Sequence, residues 1–401
     1  MPGMVLTTER GDKLEFTAVR LAHTRTGMAG EKHYGNQPVS RVKGVNKMRM
    51  VVKLGAVVLL AVLIGLASTN AGLASNKVVM KVAWAETADP LGHPGSAALN
   101  VFKTYVERKS GGEVEVQLYP AGQLGDAKSL IEQVKKGIIQ SCASIPSGMV
   151  AGSYYSDFNI FDIPYLFSSN AVAWRVLEPK SQFFKDMSDA VAKKAGLRVL
   201  GFFIEGQRHF SNNVREIRKP EDLKGLKIRT MEVPAHQEMV RALGATPTPV
   251  SWLELYGALQ TGVADGQENP IGNLVYIKGY EVQKYLTLDG HVTLLNTWLV
   301  NESWFKQLSA RHKQIILEAA EVATTTNRGM AELNDAIGLK ELSDKGMKIY
   351  TPSRQELEAF KAATQPRVLK FIKGAVQDAT WIDRILNEVD AAEASLAGLG
   401  S

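Results

Sequence analysis

The sequence predicts an α/β fold built as two lobes around a largely parallel sheet. Three observations carry this. From residue 78 onward, short segments of strand character alternate with segments of helical period, the signature of βαβ units. The 401 residues, 45% of them hydrophobic, suffice for two cores of ordinary domain size. A helical pattern from Ser309 to Asp344 would extend roughly 50 Å, more than one small domain spans, so it runs along both.

The elements follow in order. Val78 to Ala85 reads as a strand. Ala97 to Arg108 is an amphipathic helix with Leu99, Phe102, Tyr105 and Val106 on one face, ended by Gly111-Gly112. Val114 to Tyr119 alternates as a strand. Ala127 to Lys136 is a helix stopped by Gly137, and Ile138 to Ile145 a third strand. A second block opens near Gly206. It holds a strand at Leu226–Arg229, a helix at Ala235–Leu243 and a short extended piece at Thr248–Val250. Ser251 and Glu254 have the spacing of a capping box for a helix from Trp252 to Leu259. Gly262 closes that helix, and Val292 to Val300 is an apolar strand. After the long helix, Ser353 to Lys373 is helical with a break expected at Pro366, and Trp381 to Leu396 closes the chain. No low-complexity linker separates the blocks, which argues for lobes tied by several crossings.

The formal charge of +6 suggests a polyanion partner, but its distribution does not. Up to Ala74 there are 10 Lys+Arg and 4 Asp+Glu; subtraction from 47 and 41 leaves 37 of each for the remainder. The rest is formally neutral and no nucleic-acid partner is expected. The basic excess belongs to an export segment. Lys43, Lys47, Arg49 and Lys53 precede the apolar run Leu54–Leu66, and Gly72-Leu73-Ala74 supplies an A-x-A-like site. Residues 48–74 read as a signal peptide cleaved near Ala74, with an uncleaved anchor as the alternative. Residues 1–47 are polar and lack hydrophobic periodicity, and Met48 stands where a signal peptide would begin. They read as a non-native or disordered extension. Cys142 is the single cysteine, so neither an intrachain disulfide nor a cysteine zinc site is available.

Catalytic and phosphate-binding motifs are missing. There is no G-x-x-x-x-G-K-[ST] loop, no G-x-S-x-G elbow and no H-E-x-x-H. His209 and His236 fit no metal spacing and read as surface or supporting residues. What remains is a set of parts for gripping a small anion. Arg229 ends a strand, and in open α/β sheets that edge faces the ligand crevice. Its guanidinium matches a carboxylate bidentately; a surface salt bridge is the competing reading. Arg208 lies at the entry to the second block and offers a second guanidinium. Trp252 follows a Pro-spaced turn, where an indole either stacks on ligand carbons or packs in the core. Asn269 precedes Pro270 and either binds a ligand through its amide or caps the turn.

Together these residues resemble the solute-binding proteins of TRAP (tripartite ATP-independent periplasmic) transporters, the DctP-type family. The resemblance runs from Pro120-Ala121-Gly122-Gln123-Leu124-Gly125 through Phe161-Asp162-Ile163-Pro164-Tyr165-Leu166-Phe167 and Asp222-Leu223-Lys224-Gly225-Leu226-Lys227-Ile228-Arg229. It continues with Leu243-Gly244-Ala245-Thr246-Pro247 and the run Ala258 to Pro270, covering about 78 to 397. It implies a two-lobed periplasmic binding protein with a ligand cleft between the lobes and a long helix spanning both. Lobe I would comprise 76–205 plus 295–334, and lobe II 206–294 plus 335–398. It implies that Arg229 binds a ligand carboxylate, Arg208 assists, Trp252 forms an aromatic wall and Asn269 makes a polar contact. Glu86 and Gln123 are further candidate contacts, since the first lobe, with Ala85-Glu86 and Ser144-Ile145, is where binders of different acids vary. The expected function is periplasmic capture of a small organic acid, a C4-dicarboxylate or related carboxylate, by a monomer that delivers it to the small and large TRAP membrane subunits. No catalysis, cofactor or metal is expected. The rivals are an exported α/β enzyme acting on organic acids and a binding module feeding a sensor kinase.

Overall fold

The computed structural model describes residues 77–398. The readings of 1–47 as an extension and of 48–74 as a signal peptide lie outside the described residues. In the first block β1 (Val78–Ala83) pairs in parallel with β2 (Val114–Tyr119) on one side and β3 (Ser141–Pro146) on the other. α1 (Pro94–Lys109) connects β1 to β2, with proline in its first turn, where no intrahelical N–H is needed, and Arg108 and Lys109 in its last. α2 (Ala127–Lys135) connects β2 to β3 and is capped by Asp126, which accepts from the Ser129 N–H at 2.8 Å. Ile138, expected to open the third strand, is instead exposed in the turn after Gly137.

Four short helical segments follow. They are α3 (Ser147–Ser153), a 3-10 turn over Ser156–Asp162, α4 (Asn170–Val176) and α5 (Gln182–Ala195). They lead into β4 (Leu197–Asn212), whose partner is β8 (Tyr285–Asn301). These two strands, 16 and 17 residues long, form an antiparallel ribbon from Leu197 opposite Asn301 to Asn212 opposite Tyr285. The second block is threaded between them: β5 (Lys227–Thr230), α6 (Pro234–Ala242), β6 (Thr246–Pro249), α7 (Leu255–Gln260), β7 (Gly266–Asn269) and α8 (Ile271–Tyr276). After β8 come α9 (Glu302–Gln307), α10 (Ala310–Asp344), β9 (Lys348–Tyr350), α11 (Arg354–Ala375) and α12 (Thr380–Ala397).

The strand order is β2-β1-β3-β8-β4-β7-β5-β6, with β9 pairing with β8. The sheet is therefore mixed rather than largely parallel. Each outer group is parallel within itself, but β3–β8, β4–β8 and β4–β7 pair antiparallel. The ribbon of β4 and β8 is the crossing that ties the two groups, and periodicity in each block alone does not reveal it. α10 packs on α1 and β4 towards one group and on α8 towards the other. Its 35 residues give it a length of about 50 Å. Ser309 caps it by accepting from the His312 N–H at 3.1 Å.

Two apolar clusters hold the ribbon's faces. On one, Trp84, Phe102, Phe203 and Trp298 lie under Ile316, Ala319, Ala320 and Ala323 of α10. Phe102 meets Trp298 edge-on at 4.6 Å, worth about 0.5–1.5 kcal/mol beyond area burial. On the other, Phe158, Phe161, Phe183 and Phe202 pack with Trp381 of α12. Two local expectations fail. Pro366 does not break α11, because Phe360, Thr364, Val368 and Ile372 bury one continuous stripe that holds the helix through it. The capping box at Ser251 does not form: the Ser251 hydroxyl donates to the Glu254 carboxylate at 3.0 Å, and Trp252–Glu254 is a 3-10 turn before α7. Among the described residues no helix is long and apolar enough to cross a membrane.

Candidate functional site

A cavity with an empty volume of about 670 Å³, counting its open mouth, lies where the outer strand groups meet the ribbon. Glu86 and Ser144 reach it from the first group, Glu205, Arg208 and Asn296 from the ribbon, and Arg229, Trp252, Asn269 and Asn273 from the second. Its concave lining, apolar with a few convergent polar groups, is that of a small-molecule site. The local chain explains each position. Arg229 lies in β5 between β6 and β7, both parallel to it. β6 is the edge strand, which is why Pro247 and Pro249 are tolerated there. Beyond β6 the Val250 carbonyl accepts from Arg229 Nε at 2.9 Å, and two residues later Trp252 stands at the cavity. The indole stacks on Tyr276 of α8, 6.0 Å between centroids and 16° between planes. Asn269 ends β7, and Pro270 turns the chain into α8, which carries Asn273.

The two arginines have different surroundings. Both are buried. Arg208 is clamped by the carboxylate of Glu268, Nη2 donating to Oε1 at 2.9 Å and Nε to Oε2, while Nη2 also donates to the Glu268 carbonyl. Its Nη1 has no hydrogen-bond partner. Glu268 also faces His291 Nε2 at 3.2 Å and His236 Nδ1 at 3.6 Å. His236 in turn meets Asp162 at 3.2 Å, and His291 meets Asp289 at 2.8 Å. Burial alone would raise the Glu268 pKa, but Arg208 and the two histidines hold it well below the carboxylate range. Burial likewise pulls His236 down, yet Asp162 and Glu268 push it up to about 9. His209 is different: burial, with His291 and Arg208 nearby, lowers it to about 4. Neither His209 nor His236 is a surface residue, and both support the floor beneath the cavity.

Arg229 has no such clamp. Among the described residues no carboxylate lies within 4.0 Å of it, and its one hydrogen bond is to Val250. Burial, and then the charge of Arg208, lower its pKa to about 10. A buried guanidinium without a carboxylate is costly unless an anion completes it.

The opposite wall is rich in oxygen. Glu205 sits in a bulge of β4, where Gly206 has φ +113 and a Cβ on it would lie 2.7 Å from the Asp335 carboxylate. Ser144 occupies an irregularity of β3 at φ +54, uncommon for a non-glycine residue. His93 Nε2 comes within 3.4 Å of Glu205 Oε1 without hydrogen-bond alignment. Burial, and beyond it the Glu205 charge, raise Glu86 to about 8 against the pull of His93. Burial lowers His93, but Glu205 and Glu86 more than offset this, and its pKa stands above the ordinary value.

Of the sequence-predicted residues, the structure brings Arg229, Arg208, Trp252, Asn269 and Glu86 to one cavity. Gln123 is exposed and outside its lining. Glu205, Asn273 and Asn296 were not singled out from the sequence, and Ser144 was placed only in the variable region of the first lobe. The available signal was a polar residue inside an apolar strand: Glu205 after Leu200-Gly201-Phe202-Phe203-Ile204, and Asn296 between Leu295 and Trp298. Among the described residues no group of His, Cys, Asp and Glu is arranged to hold a metal ion.

The chain can now be set beside known proteins. Residues 85–374 match the family model DctP, bacterial extracellular solute-binding protein, family 7. A solute-binding protein of Verminephrobacter eiseniae is 35% identical over 282 residues, 70% of this chain and 82% of that protein. The ectoine-binding periplasmic protein TeaA of Halomonas elongata is 33% identical over 276 residues, 68% of this chain and 79% of its own length. The crystal structure of the sugar acid binding protein DctPAm of Advenella mimigardefordensis, in complex with galactonate, superposes with a TM-score of 0.73 at 28% identity, covering 79% of this chain and 99% of that one. The mixed α/β architecture with its long α10 is that of a periplasmic binding protein. With the cavity, the unclamped Arg229 and these matches in view, the chain belongs to the DctP family of TRAP periplasmic solute-binding proteins, which bind solutes and are not enzymes.

Proposed function

We propose that this protein captures a small organic acid in the periplasm and delivers it to the small and large membrane subunits of a TRAP transporter. The observation that carries the reading is Arg229, a buried guanidinium lining the cavity with no protein carboxylate within 4.0 Å. A ligand carboxylate would supply the missing charge, and exclusion of water would strengthen the pair. Arg208, held rigid by Glu268, adds a second positive charge and an unpaired Nη1. Trp252 would cover the ligand's carbon skeleton, and Asn269 would contact it through its amide. TeaA is named for ectoine and DctPAm is a sugar acid binding protein, so carboxylates of more than one kind occur among the relatives. The class to screen is small organic acids, with C4-dicarboxylates and related carboxylates first.

The two lobes of this reading are 76–205 with 295–334 and 206–294 with 335–398. The cavity would lie between them, and the ligand would act through its greater affinity for the closed form. The protein works as a monomer, exported by 48–74 with cleavage near Ala74. A thermal-shift screen against an organic-acid panel tests the function. A ligand at a hundredfold excess over its Kd adds about 2.7 kcal/mol to stability. We expect a clear rise in Tm for at least one acid in the wild type and none in Arg229→Ala. A rise of equal size in that variant would contradict the assignment.

A further inference from the structure

We infer that Leu253 and the glycine turn at 120–125 form the gate of the cavity, and that ligand enters and leaves where the Leu253 side chain rests on Gly122. The inference rests on the reading that ligand occupies the cavity, and it names the residues that control passage.

The lining itself locates the mouth. Arg208, Arg229, Asn269 and Asn296 are buried, whereas Asp126, Glu232 and Leu253 are the exposed members of the lining. Of these three only Leu253 is apolar, and it stands 55% exposed. It belongs to none of the apolar clusters that hold the fold. A solitary exposed leucine is ordinary. This one has a seat across the mouth. A Cβ on Gly122 would lie 3.0 Å from Leu253 Cδ1 and 3.6 Å from Cδ2, so the leucine packs on a backbone that has room for it because residue 122 is glycine.

The two sides of the contact are held by different parts of the sheet. The turn is fastened to the first strand group. The Ala121 N–H donates to the Glu86 carbonyl at 2.7 Å, and the Gly122 N–H to the Trp84 carbonyl at 3.1 Å. Gln133 of α2 donates to the Leu124 carbonyl at 2.6 Å. Ala121 has φ +54, a conformation that a residue with a side chain keeps where its surroundings fix it. Leu253 is carried by the second group, on the 3-10 turn between Trp252, which stacks on Tyr276, and the fully buried Leu255. A fixed seat and an anchored leucine thus meet at one point.

What joins them is easily broken. Among the described residues no hydrogen bond or ion pair links 120–125 to 251–254. Leu253 contributes dispersion and the cover of roughly half a side chain, which one rotamer change gives up. Such a contact parts without disturbing either strand group, and parting it opens the cavity at its exposed edge.

Alkylation of a thiol on the cavity lining tests this without a ligand, with iodoacetamide as the probe. The native Cys142 is buried and burial pushes its thiol pKa up, so its reaction reports unfolding alone. Asn296→Cys places a second thiol among the buried lining residues. In that background Leu253→Ala should speed alkylation of the new thiol about 5-fold, the effect of uncovering roughly half a leucine side chain. Cys142 should stay unreacted throughout. Gly122→Ala should act in the same direction, because its Cβ displaces the leucine. Gly122→Ala with Leu253→Ala should be no faster than the faster single variant, because both remove one contact. Leu317→Ala, the same change at an exposed leucine of α10, should leave the rate as it is. An unchanged rate in Leu253→Ala, or single effects that multiply in the double variant, would overturn the gate and leave the carboxylate reading standing. The expected rates together with no Tm rise for any organic acid would uphold the gate and defeat the carboxylate reading.

Discussion

The floor beneath the cavity and the walls around it treat charge in opposite ways. Beneath the floor, Arg208, Glu268, His236, Asp162, His291 and Asp289 form a buried chain in which each charge meets an opposite one within 3.6 Å. At the walls, Arg229 has no carboxylate, and Glu86, Ser144, Glu205 and Asn296 carry oxygens with no partner. The burial is the same, so burial does not explain the difference. The difference lies in ion pairing: the floor offsets each buried charge with an opposite one, while Arg229 is left for something else to complete. The floor is structure; the walls, under the proposed function, are where a ligand supplies what the chain does not.

The comparison is most easily broken at Glu268. Glu268→Ala removes the centre of the floor and leaves Arg208 buried and unpaired, which should cost about 3–5 kcal/mol in urea unfolding. A loss under 1 kcal/mol would mean the chain of charges holds little together. Arg229→Ala should do the converse. We expect it to lower affinity for the bound acid by about 2–5 kcal/mol in calorimetry. The unfolding midpoint of the ligand-free protein should be unchanged or higher, because the lost charge was buried without a carboxylate to offset it.

The pH dependence of the floor sharpens the contrast. The folded-state pKa of His236, about 9, is raised above its ordinary 6.5. Its contribution is therefore fully present below pH 6.5 and is lost as pH rises towards 9. The stability difference between wild type and His236→Asn should shrink by on the order of 3 kcal/mol over that window. A difference constant from pH 6 to pH 9 would show that His236 is not held charged in the fold. The smallest effect belongs to Gln123, exposed and outside the cavity: Gln123→Ala should leave ligand affinity within about twofold, an ordinary surface result. A tenfold loss there would show that the turn at 120–125 closes onto the ligand.

Much of this molecule was legible in the sequence, and the limits of that legibility have physical causes. The long helix is predicted within a residue, because Ser309 is a strong cap and the apolar period runs unbroken to Leu342. Arg229, Trp252 and Asn269 are visible because strand ends and Pro-punctuated turns are local signals. The ribbon of β4 and β8 is not visible, because pairing between residues 73 to 104 positions apart, from Asn212 with Tyr285 to Leu197 with Asn301, leaves no local period. The same holds for the wall. Glu86, Ser144, Glu205 and Asn296 come from four strands or loops that meet only in the folded chain, and Glu86 alone was named as a candidate contact beforehand. The floor was missed for a further reason. Glu268 and its histidines have no spacing that distinguishes them from solvated charges, and burial is what gives them their role.

The central claim is that Arg229 lacks a protein carboxylate because a ligand carboxylate takes that place. A crystal structure of the protein grown with the tightest-binding organic acid tests this most directly. The account predicts both carboxylate oxygens of the ligand within hydrogen-bond distance of the Arg229 guanidinium, with Arg208 still clamped to Glu268. A ligand whose carboxylate lies elsewhere, with Arg229 turned to pair with a carboxylate of the chain itself, would contradict it.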